Sequence, residues 1–120
     1  MVDLKGQYSR IQQEVDTSIL NVVKSGAFIN GPQVSEFAVE LQNYLSVKHV
    51  IPCANGTDAL QISLMALGLK PGDEVITPSF TYIATVEVMA LLGLVPKFIE
   101  VTPETFNIDV SQLESLISPK

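Results

Sequence analysis

The stretch Asn55-Gly56-Thr57-Asp58-Ala59-Leu60 lies between two apolar segments and is typical of a phosphate-binding turn in an α/β protein. Upstream, His49–Cys53 is predicted to form a buried strand, and downstream, Leu60–Leu69 is predicted to form a helix. The first N–H groups of a helix have no partner within it and the helix dipole adds partial positive charge, so this point favours an anion. Asn-Gly-Thr-Asp is also typical of an ordinary turn followed by a helix N-cap. The stretch alone therefore leaves two interpretations open, a phosphate site and a plain helix start.

Strand-like and helix-like segments alternate along the chain around this stretch. Strands are predicted at His49–Cys53, Glu74–Thr77 and Val95–Val101, and helices between and after them at 60–69, 81–92 and 109–117. Short apolar strands that alternate with helices indicate a parallel sheet covered on both faces. Ligands bind beyond the carboxyl ends of such strands. The predicted fold class is therefore α/β, with the candidate phosphate turn at the functional edge of the sheet.

Two amphipathic helices are predicted before the sheet. Apolar residues recur at three- and four-residue steps from Tyr8 to Val22, and Lys24-Ser25-Gly26 is a predicted helix stop. Pro32 suits the first turn of a second helix, whose apolar positions run from Val34 to Leu45. We therefore divide the chain into an N-terminal helical segment, residues 1–48, and a β-α-β-α-β portion, residues 49–120.

Composition and charge argue against several classes of protein. The net charge of −6 disfavours non-specific binding to nucleic acid or to anionic membranes. No apolar stretch approaches the ~18–20 residues of a membrane span, and the N-terminus has no signal-peptide core. The lone Cys53 fits a reducing compartment and, with a single His in the chain, argues against a structural zinc site. We expect a cytoplasmic protein without a metal site.

A second polar segment follows the predicted strand Glu74–Thr77. The hydroxyls of Ser79 and Thr81 and the rings of Phe80 and Tyr82 would lie beyond the carboxyl end of that strand, near the candidate phosphate turn. A phosphate pocket beside an aromatic platform suits a planar, phosphorylated, heteroaromatic ligand. Aromatic residues at a strand–helix junction are also commonly part of the core. The pattern alone leaves both roles open for the two rings.

Several segments, taken together and in this order, resemble the DegT/DnrJ/StrS family of pyridoxal-phosphate-dependent sugar aminotransferases. They are Asp3–Tyr8, Gly31–Val34, Asn55–Leu60, Pro71–Tyr82 and Thr105–Asp109. The resemblance implies the N-terminal part of a fold-type I transferase large domain, a three-layer α/β/α arrangement with two leading helices. It also implies transfer of an amino group from an amino acid, glutamate, to a nucleotide-linked keto sugar. The cofactor would be pyridoxal 5'-phosphate, and the enzyme a homodimer or higher oligomer.

The resemblance assigns cofactor-binding roles to residues of the two polar segments. The backbone N–H groups of Gly56, Thr57 and Asp58, together with the Thr57 hydroxyl, would hold the cofactor phosphate. The ring of Tyr82 would stack on the pyridine face. Two further hydroxyl residues would line the same pocket, namely Ser79 and Thr81.

Residues that the resemblance places near the sugar substrate belong to the N-terminal segment. They are Tyr8, Phe28 and Asn30, in regions that approach the substrate in relatives, often across a dimer interface. Tyr8 also fits the apolar stripe of the first predicted helix. Its role therefore stays open between substrate contact and helix packing.

The catalytic groups of the family are absent from this sequence. In relatives the chain continues and supplies the Lys that forms the Schiff base and the Asp that pairs with the pyridine nitrogen, and no Lys here lies in a matching context. We therefore expect no catalytic residue in this segment and no activity from the chain by itself. Two alternatives stay open: a sugar dehydratase of the same family, which has a His in place of the Lys, and a catalytically inactive truncated fragment.

Overall fold

The computed structural model describes residues 2–120 and contains helices α1 to α5 and strands β1 and β2. The chain divides into two compact units, one up to Pro52 and the other Cys53–Lys120. The first unit contains α1 and α2. In the second unit the elements follow in the order α3, β1, α4, β2, a short 3-10 turn and α5. Their bounds are α1 Leu4–Ser25, α2 Pro32–Leu45, α3 Gly56–Ala66, β1 Glu74–Pro78, α4 Ala84–Leu91, β2 Val95–Ile99, the 3-10 turn Val110–Gln112 and α5 Leu113–Leu116.

The two helices of the first unit confirm the prediction made from their periodicity. The Asp3 side chain accepts a hydrogen bond from the Gly6 N–H at 2.9 Å and caps the start of α1. Gly26 ends α1 in the left-handed conformation, with φ of 68°. Pro32 stands at the start of α2, as its fixed φ favours. Residues adjacent to the helix ends therefore set both bounds of α1 and the start of α2.

The second unit contains the parallel β-α-β arrangement that the alternation of strands and helices predicts. β1 and β2 pair in parallel, with Glu74 opposite Val95 and Pro78 opposite Ile99, and α4 connects them. α4 packs against both strands and against α3. The buried apolar side chains of the described residues all lie in this unit, and they are Ala84, Val88, Met89, Leu94 and Ile99. The α/β class is thereby confirmed.

The prediction of a buried strand at His49–Cys53 is wrong. These residues form no strand, and the Ile51 side chain is 77% exposed. A strand exists only where a neighbouring strand accepts and donates its backbone hydrogen bonds. Within residues 2–120 the sheet consists of β1 and β2, which pair with each other, and neither pairs with His49–Cys53.

Several element bounds also differ from the prediction. α3 starts at Gly56 instead of Leu60 because Asn55 caps it, and α4 starts at Ala84 instead of Thr81. β2 ends at Ile99, and Val101 instead forms an antiparallel bridge with Ile108. The predicted helix at 109–117 is a 3-10 turn followed by a single α-helical turn.

None of the helices in residues 2–120 has both the length and the apolar character needed to cross a bilayer.

Candidate functional site

The start of α3 leaves two backbone N–H groups available to a ligand. The Asn55 side chain accepts a hydrogen bond from the Asp58 N–H at 2.9 Å, and its amide donates to the Asp58 carboxylate at 3.1 Å. The N–H groups of Gly56 and Thr57 make no hydrogen bond among the described residues. A Cβ added at Gly56 would meet no other part of the protein within 4 Å, so the first turn of α3 is uncovered on the side of that Cβ. The helix end can therefore accept an anion.

Asp58 has a double role at this helix start. Its N–H donates to the Asn55 side-chain oxygen, and its carboxylate accepts a hydrogen bond from the Asn55 amide. Of the three backbone donors assigned from the resemblance, Gly56 and Thr57 are thus unengaged, while Asp58 is engaged in the cap. An anion that used the Asp58 N–H would have to share it with Asn55.

Replacement of Asn55 by Ala should destabilise α3. The substitution removes the acceptor for the Asp58 N–H, and loss of such a cap costs about 1 kcal/mol, within a range of roughly 0.5–2 kcal/mol. The free energy of unfolding from urea titration of the Asn55→Ala variant measures this loss. Asn43→Ala in α2 is the matched control, because no side-chain hydrogen bond of Asn43 is present among the described residues. Equal losses in both variants would contradict a capping role for Asn55.

The loop between β1 and α4, Ser79–Ile83, carries the second group of candidate residues. Ser79 is fixed: its N–H donates to the Ile99 carbonyl at 3.0 Å, and its hydroxyl donates to the Glu100 carboxylate at 3.2 Å. Thr81 is exposed, and the side chains of Phe80 and Tyr82 are 68% and 77% exposed. The interpretation of these two rings as core residues is therefore wrong. The loop presents an accessible aromatic ring at the carboxyl edge of β1.

The two groups of candidate residues belong to neighbouring helices. Gly56–Asp58 form the first turn of α3, and the β1–α4 loop leads into α4, against which α3 packs. No hydrogen bond joins the two groups in the part of the chain that the structure describes. The unit thus offers open N–H donors for an anion and, separately, an exposed ring for a planar group.

The candidate sugar-binding residues lie in the first unit. The Tyr8 hydroxyl donates to the Asp16 carboxylate at 2.6 Å, and this hydrogen bond raises the pKa of Tyr8 above its usual value. Phe28 is 67% exposed and lines a shallow apolar groove of about 400 Å³ with residues of α1. Asn30 adopts the left-handed conformation, with φ of 48°. Tyr8 is 42% exposed, so it is not buried in a helix interface within its unit.

Two residues that contact the β1–α4 loop were not indicated by the sequence pattern. Glu100 accepts the Ser79 hydroxyl, and the Phe106 ring lies 5.6 Å from the Phe80 ring. Phe106 belongs to the segment Thr105–Asp109, which contributed to the family resemblance without any role in the site.

Within residues 2–120 no cluster of His, Cys, Asp and Glu side chains could hold a metal ion.

Several known proteins are similar to this chain. The model of the DegT/DnrJ/EryC1/StrS aminotransferase family matches residues 9–120. The chain is 50% identical over 119 residues to UDP-2-acetamido-2-deoxy-3-oxo-D-glucuronate aminotransferase of Pseudomonas aeruginosa. The matched region covers 99% of this chain and 33% of that enzyme. The chain thus spans about a third of the length of the curated relatives it matches.

Solved structures with the same fold support this assignment. A DegT/DnrJ/EryC1/StrS aminotransferase from Brucella abortus matches 94% of this chain and is matched over 30% of its own length, with 50% identity and a TM-score of 0.90. NtdA from Bacillus subtilis, solved with bound cofactor PMP, matches with 38% identity and a TM-score of 0.85. The match covers 89% of this chain and 25% of the NtdA chain. The E. coli GDP-4-keto-6-deoxy-D-mannose-3-dehydratase with bound hydrated PLP matches with 26% identity and a TM-score of 0.80. The match covers 86% of this chain and 28% of the dehydratase chain.

Proposed function

Because the chain belongs to the DegT/DnrJ/EryC1/StrS aminotransferase family, we propose that it is the N-terminal portion of a pyridoxal-phosphate-dependent sugar aminotransferase. The enzyme would transfer an amino group from an amino acid, glutamate, to a nucleotide-linked keto sugar. The observation that carries the proposal is the pair of unengaged N–H groups at the start of α3, in the unit that also exposes the ring of Tyr82. The division into a helical segment, residues 1–48, and a sheet-forming portion, residues 49–120, belongs to the same proposal.

The residues at the start of α3 fit the phosphate of the cofactor. The N–H groups of Gly56 and Thr57 are unengaged at a helix N-terminus, and the Thr57 hydroxyl is a further donor beside them. A phosphate also needs a local donor set here, because the net charge of −6 repels anions from the chain as a whole. Asp58 would contribute mainly by fixing the helix start through Asn55.

The β1–α4 loop fits the pyridine ring of the cofactor. Tyr82 has an exposed face on which a planar ring can stack, and Ser79 and Thr81 supply hydroxyls in the same loop. When bound, pyridoxal phosphate supplies the electron sink for amino transfer. The residues of this chain bind and orient it.

Variants of Tyr82 test the proposed stacking. Tyr82→Ala should weaken binding of pyridoxamine 5'-phosphate roughly 2- to 10-fold, because an aromatic contact contributes about 0.5–1.5 kcal/mol, whereas Tyr82→Phe should bind nearly as well as wild type. Equilibrium dialysis measures the dissociation constants, and this amine form of the cofactor avoids adducts with surface lysines. Tyr44→Ala, which removes a ring that is 85% exposed on α2, is the matched control. Equal weakening by Tyr82→Ala and Tyr82→Phe would assign the contact to the hydroxyl and refute stacking.

The proposal also includes substrate contacts and assembly. Tyr8, Phe28 and Asn30 would approach the sugar nucleotide, and a homodimer or higher oligomer would form the complete site. Support comes from the first unit, in which α1 and α2 bury none of their own residues and leave large apolar side chains such as Phe28 accessible. Exposed apolar surface of this extent is typical of a protein interface.

A dehydratase of the same family is the second candidate function. The observation in its favour is the likeness to the E. coli GDP-4-keto-6-deoxy-D-mannose-3-dehydratase, at 26% identity. The two reactions leave different products, an amino sugar or a deoxygenated sugar. Mass spectrometry of the sugar-nucleotide product formed by the protein that contains this chain therefore separates them.

A further inference from the structure

The loop after β2 forms a compact turn that the proposed function does not explain. Residues 100–109, here called the β2–α5 loop, are closed by the antiparallel bridge between Val101 and Ile108. The Asp109 N–H donates to the Glu100 carbonyl at 2.8 Å, and the Thr102 N–H donates to the Asn107 carbonyl at 2.9 Å. The loop is therefore held by its own backbone although most of its side chains are exposed.

Phe106 has an unusual conformation within this loop. Its φ of 58° lies in the left-handed region, and its N–H donates to the Thr102 carbonyl at 2.9 Å. A bulky residue adopts this region at a cost in free energy and stays there only when its surroundings hold it. Gly or Asn would fit the backbone better, so the presence of an aromatic residue points to a use for its ring.

The ring of Phe106 contacts the loop that carries Tyr82. The ring centroids of Phe80 and Phe106 are 5.6 Å apart with the planes tilted by 33°, a separation at which aromatic pairs attract. Phe106 is 63% exposed and Phe80 is 68% exposed, so this pair is not part of the buried core. It joins the β2–α5 loop to the β1–α4 loop on the surface of the second unit.

The contact extends a set of attachments that starts at Ser79. The Ser79 N–H and hydroxyl are bound to Ile99 and Glu100, so the beginning of the β1–α4 loop is already tied to the end of β2. Beyond Phe80, no side-chain hydrogen bond of Thr81 or Tyr82 is present in the described residues. The Tyr82 carbonyl accepts the Thr85 N–H at 3.2 Å, which ties the backbone on the α4 side, and the Phe80–Phe106 contact is the side-chain attachment nearest to the proposed cofactor-stacking ring.

We propose that Phe106 is a positioning residue: by contact with Phe80, it holds the β1–α4 loop in the conformation that presents Tyr82 to the ligand. The link to a cofactor rests on the proposed function, whereas the restraint of one loop by the other does not. In this role the β2–α5 loop is the rigid support. The left-handed backbone at Phe106 costs free energy, and it holds the ring in contact with Phe80.

Hydrogen exchange tests the restraint directly. The Ser79 N–H, bound to the Ile99 carbonyl, and the Thr85 N–H, bound to the Tyr82 carbonyl, report on the two ends of the β1–α4 loop. The Gly72 N–H, bound to the Gly93 carbonyl, reports on the opposite end of the sheet. Phe106→Ala should accelerate exchange at Ser79 and Thr85 roughly 2- to 10-fold and leave Gly72 unchanged. Phe106→Tyr, which keeps the ring, should retain the wild-type rates.

Two more variants separate loss of the Phe106 ring from a change in backbone strain and from loss of an unrelated ring. Phe106→Gly fits the left-handed backbone but lacks the ring, so it should behave like Phe106→Ala. Phe37→Ala, which removes a ring that is 58% exposed on α2, should leave the three amides unchanged. The proposal is overturned by unchanged exchange at Ser79 and Thr85 in Phe106→Ala, by equal acceleration at Gly72, or by wild-type rates in Phe106→Gly.

Binding of pyridoxamine 5'-phosphate adds the functional measurement. Phe106→Ala should raise its dissociation constant roughly 2- to 10-fold, and Phe106→Tyr should restore it. Wild-type affinity in Phe106→Ala, despite faster exchange in the loop, would overturn the positioning role. If the wild-type chain binds no pyridoxamine phosphate, the proposed function fails instead, and the exchange rates alone decide whether Phe106 restrains the loop.

Discussion

We expect no transfer of an amino group above the free-cofactor background when this chain is incubated with pyridoxal phosphate, glutamate and a keto sugar nucleotide. The family resemblance assigns the reacting lysine to a motif that this sequence lacks. Lys97 in the second unit is bound to Glu74 at 3.1 Å, at the start of β1, and Lys120 lines a small cavity beside the same carboxylate. Both amines therefore lie at the end of β1 opposite to the loop that presents Tyr82.

The assay needs a positive control and a sensitive product measurement. The Pseudomonas aeruginosa aminotransferase, which is 50% identical over the shared residues, serves as the active reference on its own substrate. Mass spectrometry detects the amino sugar, and pyridoxal phosphate without protein sets the background. Stoichiometric or faster formation of the amino sugar by this chain would contradict the prediction and would mean that one of its own lysines serves the reaction.

We expect the substitution Ile99→Ala to remove a large part of the stability of the second unit. Ile99 is 1% exposed at the end of β2 and is among the few fully buried side chains of the described residues. Loss of a buried Ile side chain to Ala costs about 2–5 kcal/mol, because transfer free energy is lost and a cavity remains. Native domains have a total stability of only about 5–15 kcal/mol, so this unit could lose its cooperative fold.

Graded substitutions and a surface control make this measurement specific. Ile99→Val should cost about 0.5–1.5 kcal/mol, less than Ile99→Ala, if the effect comes from buried volume. Phe98→Ala removes a larger side chain from the neighbouring position of β2, but that side chain is 52% exposed and its loss should matter less. Urea titration followed by circular dichroism gives the free energies of unfolding. A Phe98→Ala loss as large as that of Ile99→Ala would show that burial does not determine the effect.

Ile99 also links stability to the candidate site. Its carbonyl accepts the Ser79 N–H at 3.0 Å, so the end of β2 holds the beginning of the β1–α4 loop. A cavity at Ile99 is therefore expected to loosen the loop that carries Tyr82 before the whole unit unfolds. Faster exchange of the Ser79 amide in Ile99→Val would detect this coupling.

Features set by neighbouring residues were predictable from the sequence. The N-cap at Asp3, the glycine stop at Gly26 and the proline start at Pro32 define α1 and α2 through hydrogen bonds and backbone preferences that span a few residues. The parallel pairing of β1 and β2 was predictable because a strand, a helix of suitable length and a second strand can close locally. The cap at Asn55 belongs to the same class, although the predicted helix begins several residues after the true start of α3.

Features that depend on distant partners were decided only by the tertiary structure. His49–Cys53 has the composition of a strand, but a strand needs a neighbour, and neither strand of the described sheet pairs with it. Phe80 and Tyr82 have the composition of core residues, yet their exposure depends on which surfaces the sheet and α4 leave uncovered. The contact of Phe106 with Phe80 joins residues far apart in sequence and requires a left-handed backbone that an aromatic residue rarely adopts. The sequence by itself thus determined α1, α2, the parallel pair and the family, because these follow from local chemistry and motif order. The arrangement of the candidate site followed only from long-range packing, because no local preference specifies which distant group a side chain will meet.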